Sequence, residues 1–149
     1  MATHLNDRVV EHRRGALDLS TDRRRIDVDA VLAWLVASHW GGSMTRVMLE
    51  RAIANSLCIG VYEGVRQVGF ARVVTDLATH GYLTDVIVAA GMRNKGIGSW
   101  MVESILAHPD LQTLRRVALW TRDAPSLYAR FGFSTDLPAS NYMELRPKR

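Results

Sequence analysis

The stretch Arg93-Asn94-Lys95-Gly96-Ile97-Gly98 carries the most chemistry in its spacing. An apolar run, Val86-Ile87-Val88, leads into it, and Ser99-Trp100 opens a helical pattern directly after it. Glycines at 96 and 98 have no Cβ, so the backbone there can approach a ligand closely. The N–H groups of the turn and of the first helical residues then converge on one point, and the positive end of the helix dipole adds to them. The result is an anion site suited to a pyrophosphate, with Arg93 and Lys95 adding charge at its rim. A P-loop would need four residues between its glycines and then Lys-Ser/Thr. A dinucleotide fold would need Gly-x-Gly-x-x-Gly after its first strand and an acidic residue about 20 positions on. Neither pattern is present.

Positioning such a turn takes a strand before it, a helix after it and a sheet to hold both. The strand candidates are Ala16 to Ser20, Ser56 to Glu63, Gln67 to Thr75, Tyr82 to Ala89, Arg116 to Thr121 and a closing run from Asn141 to Leu145. Glu63-Gly64 signals a hairpin turn between two of them. Asp27 is placed to cap a helix reaching Ser38, with Val28, Val31, Leu32, Leu35 and Val36 at helical spacing. Gly41-Gly42 breaks it, and Met44 to Asn55 forms a second helix with Val47, Met48 and Ile53 expected inward. Trp100 to His108 is helical until Pro109, and Ala124 to Phe131 is a short helix ended by Gly132, with Asp123 expected as its cap. Helices crossing between strands imply an α/β fold with a mixed sheet.

The bulk properties agree with one globular domain. The chain has 149 residues, 48% hydrophobic and 23% charged, enough to bury a core. No apolar run reaches the roughly 18 residues of a membrane span, and the polar start MATHLNDRVVEHRR lacks the apolar core of a secretory signal. A cytoplasmic, reducing location is expected from the lone Cys58, which has no partner for a disulfide. The net charge of +4 includes Arg13-Arg14 and Arg23-Arg24-Arg25, but Asp18, Asp22, Asp27 and Asp29 interleave with them and no aromatic residues alternate to stack bases. No nucleic-acid or membrane partner is therefore expected. Steering of a polyanionic coenzyme is a further use for that charge.

Strand, then Arg93-x-x-Gly96-x-Gly98, then helix resembles the coenzyme A-binding motif of the GNAT superfamily of acyl-CoA N-acyltransferases. A second motif agrees with the first. A strand, Val117-Ala-Leu-Trp-Thr-Arg-Asp123, leads to Ala-Pro-Ser-Leu-Tyr128-Ala-Arg-Phe-Gly132-Phe133, like the family's tyrosine before Gly-Phe. The likeness runs from about Leu17 to Leu145, so residues 1–15 read as a polar segment and 16–149 as the domain. It implies a mixed β-sheet flanked by helices with a splayed central strand pair.

The resemblance also implies roles. Acetyl-CoA is the co-substrate, with no metal, and its pantetheine arm pairs with backbone groups of Val86, Ile87 and Val88. Main-chain N–H groups of Asn94, Lys95, Gly96, Ile97, Gly98 and Ser99 meet the pyrophosphate. Tyr128 stands where the family keeps a general acid for the departing thiolate. Asp85 is a candidate base, although strand parity puts it on the face opposite Val86 and Val88, where a structural hydrogen bond is an equal reading; the base stays open. His39 and Trp40, in the joint between the first two helices, are candidates for the acceptor pocket, Trp40 through cation–π attraction. The acceptor is a small-molecule amine or a protein amino group, attacked in a ternary complex, and homodimers are common in the family. A degenerate coenzyme-binding regulatory domain is the alternative. Trp34, Trp100, Trp120, Phe131 and Phe133 read as packing.

Overall fold

A computed structural model describes residues 4–5, 7–40, 42–138 and 141–148. Gly41, half of the expected helix break, lies outside the described residues, as do residues 1–3 and 6 of the N-terminal segment. Six strands form one sheet in the order β1 (Glu11–Arg14), β2 (Leu17–Ser20), β3 (Leu57–Glu63), β4 (Arg66–Thr75), β5 (His80–Val88) and β6 (Arg116–Leu119). All neighbours are antiparallel except β5 and β6, which are parallel and joined through α3 (Ile97–Leu106). The sheet therefore takes in residues ahead of Ala16, because Glu11–Arg14 pairs with Leu17–Ser20.

Helices cover both faces. On one face lie α1 (Val28–Ala37) and α2 (Arg46–Ala54), whose Val31, Leu35, Leu49 and Ile53 pack with Cys58, Phe70 and Ile87. On the other, Ile97, Met101 and Ile105 of α3 pack against Ile59, Val61, Val73 and Leu83. Each such side chain contributes about 1.5–3 kcal/mol by leaving water. β3 is buried on both faces from Leu57 to Tyr62, as a strand sandwiched between helix layers must be. Caps fix the helix starts. Asp27 accepts from the Ala30 N–H, and buried Gln67 accepts from the Asp27 N–H at 2.7 Å, tying the beginning of α1 to β4.

Three expectations change. Val47 and Met48 face solvent, at 66% and 41% exposure. The buried stripe of α2 runs through Leu49 and Ile53, and at about 100° per residue Met48 and Val47 turn away from it. The helix after the glycine turn starts at Ile97, not Trp100. No strand forms between Asn141 and Leu145 among the described residues, so β6 is an edge. A short fourth helix, α4 (Pro125–Ala129), follows β6.

The clustered arginines are engaged within the chain. Arg14 reaches Glu103 at 2.9 Å and covers the Trp100 ring, Arg25 reaches Glu11 at 2.9 Å, and Arg24 pairs with Asp22 at 2.9 Å. Arg23 donates to the Ala54 carbonyl, and Arg13 lies 3.7 Å from Asp18. No helix among the described residues is long and apolar enough to cross a membrane.

Candidate active site

The site begins with a bulge. Thr84 opposes Arg72 and Ile87 opposes Phe70, so Asp85 and Val86 together face the single residue Ala71. Asp85 takes the left-handed φ of 54°, which an aspartate tolerates better than most residues. A bulge bends its strand. Pairing of β5 with β6 stops at Leu83 and Leu119, just before the bulge, and the two strands run on without further pairs. The Ala89 N–H still donates to Val68 on β4, so alternation turns the main-chain groups of Ile87 towards β4 and those of Val86 and Val88 towards the gap. Of the three residues expected to offer free backbone, Val86 offers its main-chain groups to the gap and Val88 only its N–H. The Val88 carbonyl already accepts from Arg93 Nε at 3.3 Å.

Asp85 is 8% exposed and accepts from Arg72 Nε at 2.6 Å. Arg72 in turn donates to the Ser56 hydroxyl. This carboxylate is paired with a guanidinium, which ties the bulge of β5 to β4. The parity reading of the strand pointed to that structural use.

After β5 the chain makes a 3-10 turn over Ala90–Met92, and then Asn94 and Gly96 adopt φ of 62° and 79°. Gly96 is the N-cap of α3, in a conformation that favours glycine, and it offers no side chain to cap the helix. The first intrahelical bond runs from Trp100 N–H to the Gly96 carbonyl. The N–H groups of Ile97, Gly98 and Ser99 are thus left facing outward at the positive end of α3. A Cβ built on Gly98 would meet nothing within 4 Å, so the space beside these donors is open. Arg93 and Lys95, just ahead of this helix start, are exposed. Arg130, which ends α4, donates to the Ser99 hydroxyl at 3.0 Å and brings another positive charge to this helix start. Sequence reasoning missed it, because nothing in the spacing ties residue 130 to residue 99.

A cleft of about 850 Å³ occupies the gap between the diverging strands. Its floor is Tyr82 to Val86, one wall is Trp120 to Ala124, and Tyr128 closes one side. Tyr128 is 9% exposed, with its ring edge-on to Phe133 at 5.9 Å. Burial raises its pKa above the ordinary phenol value, so it is protonated at neutral pH. Its hydroxyl makes no hydrogen bond to any described residue.

His39 and Trp40 also line the cleft. Their rings meet edge-on at 4.9 Å, and His39 Nε2 lies 3.0 Å from Asp123 Oδ2. Asp123 was expected to cap α4, but the Ala124 N–H donates instead to the Thr121 hydroxyl, leaving the Asp123 carboxylate for His39 and Arg122. Trp120, read as packing, is 65% exposed and stands against Tyr142 at the cleft. Tyr142, Glu144 and Arg146 alternate into the cleft, while Met143 and Leu145 face solvent. Cys58 is buried and its thiol is pushed up to about 12 by burial, which excludes it as a nucleophile. Among the described residues no group of three His, Cys, Asp or Glu side chains is arranged to hold a metal.

The family model for the acetyltransferase (GNAT) domain matches residues 54–135, which contain the bulge, the glycine turn and Tyr128. A Gibberella zeae protein described as an acetyltransferase is 33% identical, over 78% of each chain. A Xanthomonas campestris structure described as a GNAT-family acetyltransferase superposes with a TM-score of 0.86 at 38% identity, covering 91% of this chain and 96% of its own. A Clostridium acetobutylicum protein described as an acetyltransferase and crystallised with acetyl-CoA shares the fold, with a TM-score of 0.65 at 14% identity over 87% of this chain and 96% of its own.

Proposed function

The chain belongs to the GNAT family of acetyltransferases, and from that premise we propose that it passes the acetyl group of acetyl-CoA to a primary amine by direct attack within a ternary complex. The observation that supports this reading is the gap between β5 and β6, with Tyr128 buried beside the cleft that fills it and a helix start without a side-chain cap following β5.

In this reading the pantetheine arm lies along Val86 and Val88 as an added strand. The pyrophosphate sits on the N–H groups from Asn94 to Ser99, with Arg93, Lys95 and Arg130 around it. The thioester then points into the cleft beside Tyr128. Attack of the amine forms a tetrahedral oxyanion, and its collapse expels a thiolate. Tyr128 donates its proton to that sulfur. Burial suits it to the task, because a phenol kept protonated still holds a proton to give. The acceptor enters from the open side, past Trp40, Trp120 and Tyr142, whose π faces attract an ammonium. A small-molecule amine or an exposed protein amino group both fit so open a mouth.

The test is thiol release from acetyl-CoA across a panel of amines, with coenzyme affinity measured by calorimetry. The expected result is binding of acetyl-CoA and turnover with a subset of the amines. Tyr128→Phe should lower kcat by about 100-fold or more with coenzyme affinity unchanged. An absence of binding heat would end the proposal, and unchanged turnover in Tyr128→Phe would remove the phenol from it.

A further inference from the structure

We infer that His39 is the general base that takes the proton of the acceptor amine, with Asp123 and Trp40 as the residues that position it. The inference rests on the acetyl-transfer reading and names the group that reading leaves open.

Two loops bring the pair together. His39 lies between α1 and α2, and Asp123 lies between β6 and α4, yet Nε2 and Oδ2 are 3.0 Å apart at the mouth of the cleft that Tyr128 closes. Nε2 is the ring nitrogen that faces the carboxylate, and in the neutral tautomer that keeps its proton there the other ring nitrogen, Nδ1, carries the lone pair. The Trp40 ring packs edge-on against the imidazole at 4.9 Å and restrains its rotation. His39 remains 43% exposed, so a substrate and solvent both reach it.

The other groups facing the cleft are engaged or protonated. From β5, Asp85 is held by Arg72 at 2.6 Å, and burial raises the Tyr82 pKa above the ordinary phenol value. From the C-terminal segment, Glu144 is bound by Arg146 through both carboxylate oxygens, with Tyr142 beside them. From α4, Tyr128 is the acid. From the loop after β6, Arg122 lies 3.3 Å from the second oxygen of Asp123, whose negative charge is thereby shared. Imidazole is the side chain whose intrinsic titration falls near neutrality.

The step balances as follows. The acceptor arrives as an ammonium, and His39 Nδ1 takes one proton and releases it to solvent. The freed nitrogen lone pair forms the C–N bond as the carbonyl π pair moves onto oxygen. Return of that pair breaks the C–S bond. The thiolate takes the Tyr128 proton, and the phenolate is refilled by the second proton of the nitrogen, passed through solvent. The products are an amide, a thiol and one proton.

The experiment compares wild type, His39→Ala, His39→Gln and Asp123→Asn for thiol release as a function of pH. Coenzyme affinity by calorimetry and melting temperature are measured on the same samples. For His39→Ala the expected result is a loss of about 100-fold in kcat/KM near pH 7, shrinking as pH rises and the amine loses its proton unaided. Partial rescue by added imidazole should accompany it, with coenzyme affinity unchanged. Asp123→Asn should fall by about tenfold or more and shift the acidic limb, which a merely structural contact would not do. An unaltered pH profile in His39→Ala, or a loss confined to the KM for the amine, overturns the role while leaving acetyl transfer standing. A wild-type protein that binds acetyl-CoA but releases no thiol overturns both.

Discussion

Asp85 carries backbone conformation and electrostatics together. It holds a left-handed φ, marks the bulge that bends β5, and pairs with Arg72 where both side chains are largely buried, at 7% and 14% exposure. Asparagine tolerates the same left-handed φ, so Asp85→Asn removes the charge and leaves the turn unstrained. Loss of one partner of a buried pair costs about 3 kcal/mol or more. Urea unfolding of Asp85→Asn should read a loss of that size, and a loss below about 1 kcal/mol would mean that the pair is solvated. Part of this was legible beforehand, because strand parity set Asp85 apart from Val86 and Val88. The bulge was not, since one extra residue in a strand leaves no mark in an apolar pattern. Arg130 was hidden for a related reason: a contact with Ser99 across two helices has no local spacing to betray it.

At the level of elements, the decisive junction is the start of α3. A Cβ on Gly69 of β4 would come within 3.1 Å of Ile97 and 3.3 Å of Met101, so the bare backbone there lets the helix sit tight on the sheet. Gly96 and Gly98, which look alike in the motif, do different things. Gly96 supplies the positive φ, whereas Gly98 has an ordinary helical place beside open space. Gly98→Glu should therefore hold or raise the melting temperature, because helix propensity improves and an acid suits a helix N-terminus. The same change should weaken acetyl-CoA binding by about tenfold or more in calorimetry, because the carboxylate occupies and repels the pyrophosphate site. Equal affinity would place the phosphates elsewhere. Gly96→Glu is the poorer probe, since it strains the cap as well. The order of strands and helices was readable because their apolar periods differ, and both motifs lie at junctions that those periods delimit. The inward face of α2 was misread since Val47 and Met48 are apolar but fall outside the stripe of Leu49 and Ile53. The closing strand was misread because Asn141 to Leu145 has strand-like composition yet finds no ladder partner among the described residues.

For the molecule as a whole, His108 links pH to stability. It follows α3, is 1% exposed, accepts from the Asp110 N–H through Nδ1 at 3.1 Å and leaves Nε2 buried without a partner. Burial lowers its pKa, with nearby Asp110 opposing and Arg8 assisting that shift. Between the folded value and about 6.5 the unfolded chain binds the proton that the folded chain refuses. Stability is therefore full above that upper limit and declines as pH falls through the window. His108→Asn keeps an acceptor for Asp110 but does not titrate. Its melting temperature should fall less between pH 7.5 and 5.5 than that of the wild type, and parallel curves would refute the linkage. Both layers of the fold depend on this sheet, but one boundary of the cleft does not. Tyr142, Glu144 and Arg146 reach it from a stretch that adds no rung to the ladder. Exchanging that stretch for a relative's would leave every strand pairing in place. If the chain transfers acetyl groups as proposed, preference for one acceptor over another should be regraftable through this stretch with acetyl-CoA affinity unchanged.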